Sequence, residues 1–153
     1  MSLGLSRVLL GLAGALLLQA GRVHAVVEVG TSAADGTVPV TVRVVPTGIM
    51  LGSYQGTLRF TPGTLRVIQA SAPRAGDATR LVNASDTLAG VLRFAGFTVT
   101  GFRQDTVLTL RVRPTRSIQA ADLRATIDVA ADSAGTRIPR DRLIPSSAGR
   151  PRP

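Results

Sequence analysis

Apolar and polar side chains alternate through most of the chain after its first 25 residues, and this period of two predicts β-strands. Thr37–Val44 places four valines on one face. Thr106–Arg113 and Leu123–Ala130 alternate in the same way. In Ser53–Phe60 the apolar face holds Tyr54, Leu58 and Phe60, with Gly56 making room for a bulky neighbour, and the polar face holds Ser53, Gln55, Thr57 and Arg59.

Weaker strands fill the intervals between these segments. They are predicted at Val26–Val29, Leu65–Ala70, Arg80–Asn83 and Val91–Thr98. Turn signals rich in Gly, Pro and Asp separate them, as in Thr61-Pro62-Gly63. No segment after the first 25 residues keeps a helical period over two turns. The pattern therefore predicts an all-β protein, an antiparallel β-sandwich.

The first 25 residues predict a secretory signal peptide. Arg7 supplies its positive charge, and the apolar run Val8–Leu18 is shorter than the roughly 20 residues that cross a bilayer. Val23-His24-Ala25 fits a cut after Ala25, and an earlier cut after Ala20 is the alternative. We predict three parts: a signal peptide (1–25), a β-sandwich (26–144) and a disordered tail (145–153) rich in Pro and Arg. The predicted location is secreted, or periplasmic or extracellular, with no transmembrane segment.

The residue types present argue against catalysis. The chain contains no cysteine, and all of its 18 basic residues are arginine. Its one histidine, His24, lies in the predicted signal peptide. The predicted mature chain therefore lacks Ser–His triads, Cys nucleophiles, Schiff-base lysines and His-ligated metals. Its aspartates fall mostly at turns, where Asp caps backbone groups. We predict no enzyme, no metal and no cofactor.

A formal net charge of +9 and a sequence pI of about 11.8 are typical of nucleic-acid-binding proteins. The predicted export signal and the absence of a basic helix argue against that function. The aromatic content of 3% is also too low for stacking on single-stranded bases. We therefore predict no nucleic-acid partner.

Three motifs, in this order, resemble those of cohesin domains. Residues 52–67, GSYQGTLRFTPGTLRV, resemble the cohesin strand that enters a Pro turn and continues as a new strand. Gly90–Gly96, GVLRFAG, resembles the family's GxIRFAxA motif, and Asp128–Pro139, DVAADSAGTRIP, resembles VEVADADGNxIP. The resemblance covers most of residues 26–139. It implies a nine-stranded jelly-roll sandwich, related in fold to carbohydrate-binding modules, whose last strand is shortened to Asp141–Ile144.

Cohesins bind dockerin modules and so assemble polysaccharide-degrading complexes, and the resemblance implies a protein-binding module. It also implies that Ser53–Phe60, Val91–Phe94 and Thr106–Arg113 share one sheet with an open partner-binding face. The predicted contact residues are Ser53, Gln55, Thr57, Arg59, Arg93 and Arg111. Their three arginines would form a cationic strip for an acidic partner, or would only solvate the sheet. Arg43 and Arg124 are predicted on the opposite sheet.

A carbohydrate-binding or structural sandwich associated with polysaccharide degradation is the alternative. Sugar sites stack rings on Trp or Tyr, but the chain has no Trp and a single Tyr, Tyr54, which is predicted to point inward. Phe97 and Phe102 flank Thr100-Gly101 and would either be exposed or cover the end of the sandwich. Polysaccharide is therefore the alternative to a protein ligand.

Overall fold

Nine strands build two sheets in the computed structural model, which describes residues 21–74 and 76–146. The strands lie close to the segments that alternation predicts. Short 3₁₀ turns lie at Thr87–Ala89, Ala120–Asp122 and Arg140–Arg142. The strands are β1 (Arg22–Val29), β2 (Val38–Thr47), β3 (Leu51–Phe60), β4 (Leu65–Ser71), β5 (Thr79–Asn83), β6 (Val91–Phe102), β7 (Asp105–Pro114), β8 (Leu123–Asp132) and β9 (Leu143–Ile144).

The strand order defines a jelly-roll sandwich. Sheet A has the order β4-β7-β2-β1-β9, and sheet B has the order β5-β6-β3-β8. All neighbours pair antiparallel except β1 and β9, which pair parallel. The predicted nine-stranded fold, including the short last strand, is confirmed.

The inward faces of the two sheets form a single apolar core, as the alternation predicts. All four valines of the Thr37–Val44 pattern are buried, and Tyr54, Leu58 and Phe60 of β3 point inward. A Cβ atom at Gly56 would lie 2.5 Å from the ring of Phe94, so this glycine does make room for a bulky neighbour. After the Pro62-Gly63 turn, Leu65 begins β4 in the opposite sheet, as expected.

Strand β1 begins four residues earlier than the predicted strand Val26–Val29. Val23 and Ala25 are buried in the core, and the segment pairs with β2 from Arg22 onward. The cut after Ala25 would thus remove the first half of β1, whereas the cut after Ala20 would leave it whole. Residues 1–20 lie outside the described residues.

The C-terminal end of the described chain closes against both sheets. Leu143 and Ile144 of β9 pair with β1, and the backbone N–H of Ser146 donates to the carbonyl of Ala125 in β8 at 2.8 Å. Most of the predicted tail, residues 147–153, lies outside the described residues.

A buried polar cluster links the two sheets near one end of the sandwich. Arg80 of β5 forms an ion pair with Asp105 of β7 at 2.7 Å, and both side chains are less than a tenth exposed. The Tyr54 hydroxyl of β3 donates to the same carboxylate at 2.5 Å. Gly96 leaves space for that hydroxyl, because a Cβ there would lie 2.1 Å from its oxygen. The cluster thus ties β3 and β5 of sheet B to β7 of sheet A.

Tyr54 should resist ionisation while the protein is folded. Burial, together with its hydrogen bond to Asp105, raises the pKa of Tyr54 above its ordinary value of 10.0. The folded chain keeps a proton that the unfolded chain loses, so this contribution to stability is complete below pH 10 and is lost as pH rises further. Because Tyr54 is the only tyrosine, ultraviolet absorbance reports it alone. At about one pH unit above 10 we expect phenolate absorbance in urea but not in the folded protein. Equal absorbance in the two samples would show that the hydroxyl is accessible.

Candidate functional site

The outer face of sheet B carries two cross-strand rows of side chains, set by the strand register. One row joins Leu81, Ala95, Gln55 and Val129 across β5, β6, β3 and β8. The next row joins Thr79, Phe97, Ser53 and Ala131 in the same strand order. A shallow groove of about 190 Å³ runs between these rows.

Large apolar side chains are exposed on this face, although β-strands of a sandwich usually turn polar residues outward. Leu81 is 65% exposed, Phe97 54%, Val99 76% and Val129 40%. We call these four residues the apolar patch. Large apolar side chains exposed together on one face of a folded protein are typical of an interaction site. The patch makes the outer face of sheet B the candidate site.

Five of the six sequence-predicted contact residues lie on this same face. Gln55, Arg59 and Arg93 are exposed, and Ser53 is half-buried. Thr57 is only 6% exposed. Its hydroxyl donates a hydrogen bond to Oδ2 of Asp128 in β8 at 2.7 Å. Thr126 donates to Asp128 Oδ1 at 3.0 Å, so both carboxylate oxygens are engaged. Thr57 therefore orients Asp128 and offers little surface of its own.

The predicted sheet membership of Arg111 is wrong. The chain crosses from sheet B to sheet A between β6 and β7, so Arg111 of β7 lies on the outer face of sheet A. There it forms an ion pair with Asp35 at 2.7 Å. Hydrogen bonds from Thr37 lower the pKa of Asp35 and favour its charged form. The strip of Arg59, Arg93 and Arg111 therefore does not exist as one surface.

The predicted sheet membership of Arg124 is also wrong. Arg124 belongs to β8 and lies beside Arg59 in sheet B, whereas Arg43 of β2 does lie in sheet A. Arg93 remains on the candidate face, but its guanidinium is paired with Asp86. The cationic part of this face is consequently Arg59 with Arg124.

The aromatic residues divide between the surface and the core. Phe97 lies in the apolar patch, whereas Phe102 is buried and packs against Tyr54 with ring centroids 5.5 Å apart. The Arg80 guanidinium lies 5.8 Å from the centre of the Phe102 ring. Phe97 is thus the aromatic side chain that this face offers to a ligand.

Groups suited to catalysis or metal binding are scattered. His24, predicted within the signal peptide, lies half-buried in β1 with Val45 and Ile144 as strand neighbours. Within residues 21–74 and 76–146, no three His, Asp or Glu side chains are grouped to hold a metal ion. In the same residues no helix has the length and apolar character needed to cross a membrane.

Among known proteins, the matches to this chain come from solved structures. No protein-family model and no curated protein matches the chain. The sixth cohesin of Acetivibrio cellulolyticus scaffoldin B, solved in complex with a Cel5 dockerin, matches with a TM-score of 0.54 and 15% identity, covering 85% of this chain and 99% of that one. A cohesin module from a Clostridium perfringens family 33 glycoside hydrolase matches with a TM-score of 0.56 and 7% identity. The match covers 82% of this chain and 92% of that one. A non-cellulosomal cohesin from Archaeoglobus fulgidus matches with a TM-score of 0.50 and 11% identity. The match covers 76% of this chain and 83% of that one.

These matches identify the architecture. The chain has the jelly-roll fold of cohesin modules, and the resemblance predicted from its three motifs is confirmed at the level of fold. Sequence identities of 7–15% carry no residue roles from those proteins to this chain.

Proposed function

We propose that this protein is a secreted, non-catalytic module that binds a partner protein through the outer face of sheet B. The observation that carries the proposal is the apolar patch, with its four exposed side chains on one sheet face. Ser53 and Gln55 of β3 lie between Val129 and the other three patch residues, and Arg59 lies further along β3. Protein interfaces combine exposed apolar side chains with polar and charged ones in this way.

The proposed partner is a dockerin-like module with acidic surface groups. The Acetivibrio cellulolyticus cohesin and a Clostridium thermocellum OlpA cohesin that shares the fold were both solved in complex with dockerins. The acidic character is supported by the uncompensated arginines of the face. The cohesin fold supports the proposal, and the exposed patch gives such a partner a place to bind.

Polysaccharide is the second candidate ligand, and Phe97 is the observation that favours it. Its exposed ring lies next to Ser53 and Gln55, so a sugar could stack on the ring and hydrogen-bond to these side chains. The rest of the patch is aliphatic, however, and Tyr54 is buried. A protein surface matches this composition better than a sugar chain does.

Export of the chain is part of the proposal. We propose signal-peptide cleavage after Ala20, because that cut leaves the whole of β1 in the mature protein. The mature module would then begin at Gly21 and retain His24.

The patch can be tested by removing its two largest side chains. The unaltered protein is used to isolate its partner from the secreted fraction of its source organism, and the partner is then identified and purified. We expect the double variant Leu81→Ser/Phe97→Ser to raise the Kd at least 100-fold, about 2.7 kcal/mol, because buried apolar anchors dominate interface energies. Titration calorimetry measures the change.

The matched control is Ile68→Ser in β4. Ile68 is 43% exposed but belongs to sheet A, so its replacement should leave the Kd unchanged. Both variants should melt within a few degrees of the parent, since substitutions at exposed sites usually cost within about 0.5 kcal/mol. Wild-type affinity in the double variant would show that the partner binds elsewhere. Binding of a soluble polysaccharide, but no protein, would favour the second candidate.

A further inference from the structure

Two arginines lie directly opposite each other at one end of the candidate face. Arg59 of β3 pairs in register with Arg124 of β8, and both side chains are exposed on the outer face of sheet B. Residues opposed in this way have Cβ atoms about 5 Å apart. Like charges in such positions repel, so the pair opposes folding unless an anion compensates it.

The neighbouring acids of the chain are engaged elsewhere. Asp86 pairs with Arg93, and both oxygens of Asp128 accept hydrogen bonds from threonine hydroxyls. Asp122, the last residue of the 3₁₀ turn before β8, pairs with Arg116 at 2.8 Å and accepts from the Gln119 backbone N–H. In the part of the chain that the structure describes, neither Arg59 nor Arg124 forms an ion pair.

A second opposed pair of arginines has a different environment. Arg66 of β4 faces Arg113 of β7 on sheet A. There the chain supplies an acid of its own, because Asp35 forms an ion pair with the nearby Arg111. The backbone carbonyl of Asp35 also accepts a hydrogen bond from Arg113 at 3.5 Å. The two pairs carry the same formal charge, but only Arg59 with Arg124 lies on the face of the apolar patch.

We propose that Arg59 and Arg124 together bind a side-chain carboxylate, Asp or Glu, of the partner protein. A carboxylate has two oxygens, and each guanidinium presents a planar fork of N–H donors that suits such an acceptor. Four residues of extended strand separate Arg59 from Gln55, so the site lies about 13 Å from the central row of the face. It therefore forms the charged rim of the interface. This inference rests on the proposed function and adds the chemistry of one contact.

The absence of lysine in this chain allows a direct chemical test. Arg59→Lys keeps the positive charge and introduces the chain's one side-chain amine. A carbodiimide adds to the carboxylate to give an O-acylisourea, and an amine in contact with it then attacks the carbonyl carbon, forming the amide and releasing the urea. With the purified partner bound, we expect an amide between position 59 and an Asp or Glu of the partner, located by mass spectrometry of the peptides. Arg113→Lys on sheet A is the matched control and should not couple to the partner.

Affinity provides the second measurement. Arg59→Gln/Arg124→Gln should raise the Kd for the partner at least tenfold at low salt, and the remaining affinity should depend less on salt. Arg66→Gln/Arg113→Gln removes the same charge from sheet A and should change the Kd less than twofold. No coupling at position 59, or equal Kd effects of the two double variants, overturns the carboxylate site. If the carboxylate site fails these tests but the Leu81/Phe97 variant still weakens binding, the proposed function stands without the carboxylate site. If the Leu81/Phe97 variant binds normally, the proposed binding face itself is wrong.

Discussion

Replacing Asp105 with alanine is expected to lower the free energy of unfolding by about 3–5 kcal/mol, because it removes the carboxylate that forms an ion pair with the buried Arg80. The side chains of Arg80 and Asp105 are 8% and 4% exposed, so the variant would leave a guanidinium largely buried with one carboxylate fewer beside it. The Tyr54 hydroxyl loses its acceptor in the same step. For a domain of this size the melting temperature should fall by about 10–20 °C. Urea and thermal unfolding followed by circular dichroism measure both quantities.

Two further variants separate the effect of the buried ion pair from the effects of the tyrosine hydrogen bond and of an exposed ion pair. Tyr54→Phe removes one hydrogen bond and keeps the ion pair, so we expect a loss of about 1–2 kcal/mol. Asp86→Ala breaks the exposed pair with Arg93 and should cost less than about 1 kcal/mol. A loss at Asp105 no larger than the loss at Asp86 would contradict the role of the buried cluster.

A chain that begins at Val26 should be much less stable than one that begins at Gly21. The shorter chain lacks Val23, whose burial alone contributes about 2 kcal/mol. It also lacks Ala25 and the residues that pair with the last part of β2 and with β9. We expect the free energy of unfolding to fall by at least about 4 kcal/mol, with part of sheet A losing protection from amide hydrogen exchange.

A truncation of similar length at the C-terminal end is the control for the loss of residues 21–25. Removing residues 147–153 should change the free energy of unfolding by less than about 1 kcal/mol, since the nine paired strands all lie within residues 22–144. Intact-mass analysis of the exported protein should give Gly21 as its first residue. An exported chain that starts at Val26 and unfolds with full stability would refute the proposed cleavage after Ala20.

Strand positions were predictable from sequence, but the sheets to which β7 and β8 belong were not. Alternation in β3, β7 and β8 fixes which side chains point inward, because each strand has one face on the core. The same local pattern arises in either sheet. The prediction put both Arg111 and Arg124 in the wrong sheet. The predicted inward positions of Tyr54 and Leu58 are confirmed.

The candidate site was only partly predictable, for a related reason. Strand β6 carries apolar residues on both faces, with Leu92 and Phe94 inward and Phe97 and Val99 outward. Alternation cannot show which apolar face is covered. A strand with apolar residues on both faces, in a sheet covered on one side only, leaves one of those apolar faces exposed, and this pattern was present in the sequence.

The first half of β1, Arg22–Ala25, and the buried ion pair were missed because their residues fit another interpretation. Val23-His24-Ala25 matches a cleavage motif, yet its alternation also continues the strand. Asp105 lies at the start of β7, where an aspartate usually caps backbone groups. Its partner Arg80 is 25 residues away in the chain, and no local pattern connects two residues at that separation.

The first and last described strands, β1 and β9, are neighbours in sheet A, and β9 is only two residues long, so the two ends of the described chain lie close together. Val23 lies beside Leu143 in this pairing. Counting along both strands, Gly21 and Ser146 lie on the order of 15–20 Å apart. A linker of a few residues could join them and close the backbone into a ring without breaking any strand pair. New ends could then be opened at the Ala34-Asp35-Gly36 turn, giving a circular permutant with the same two sheets.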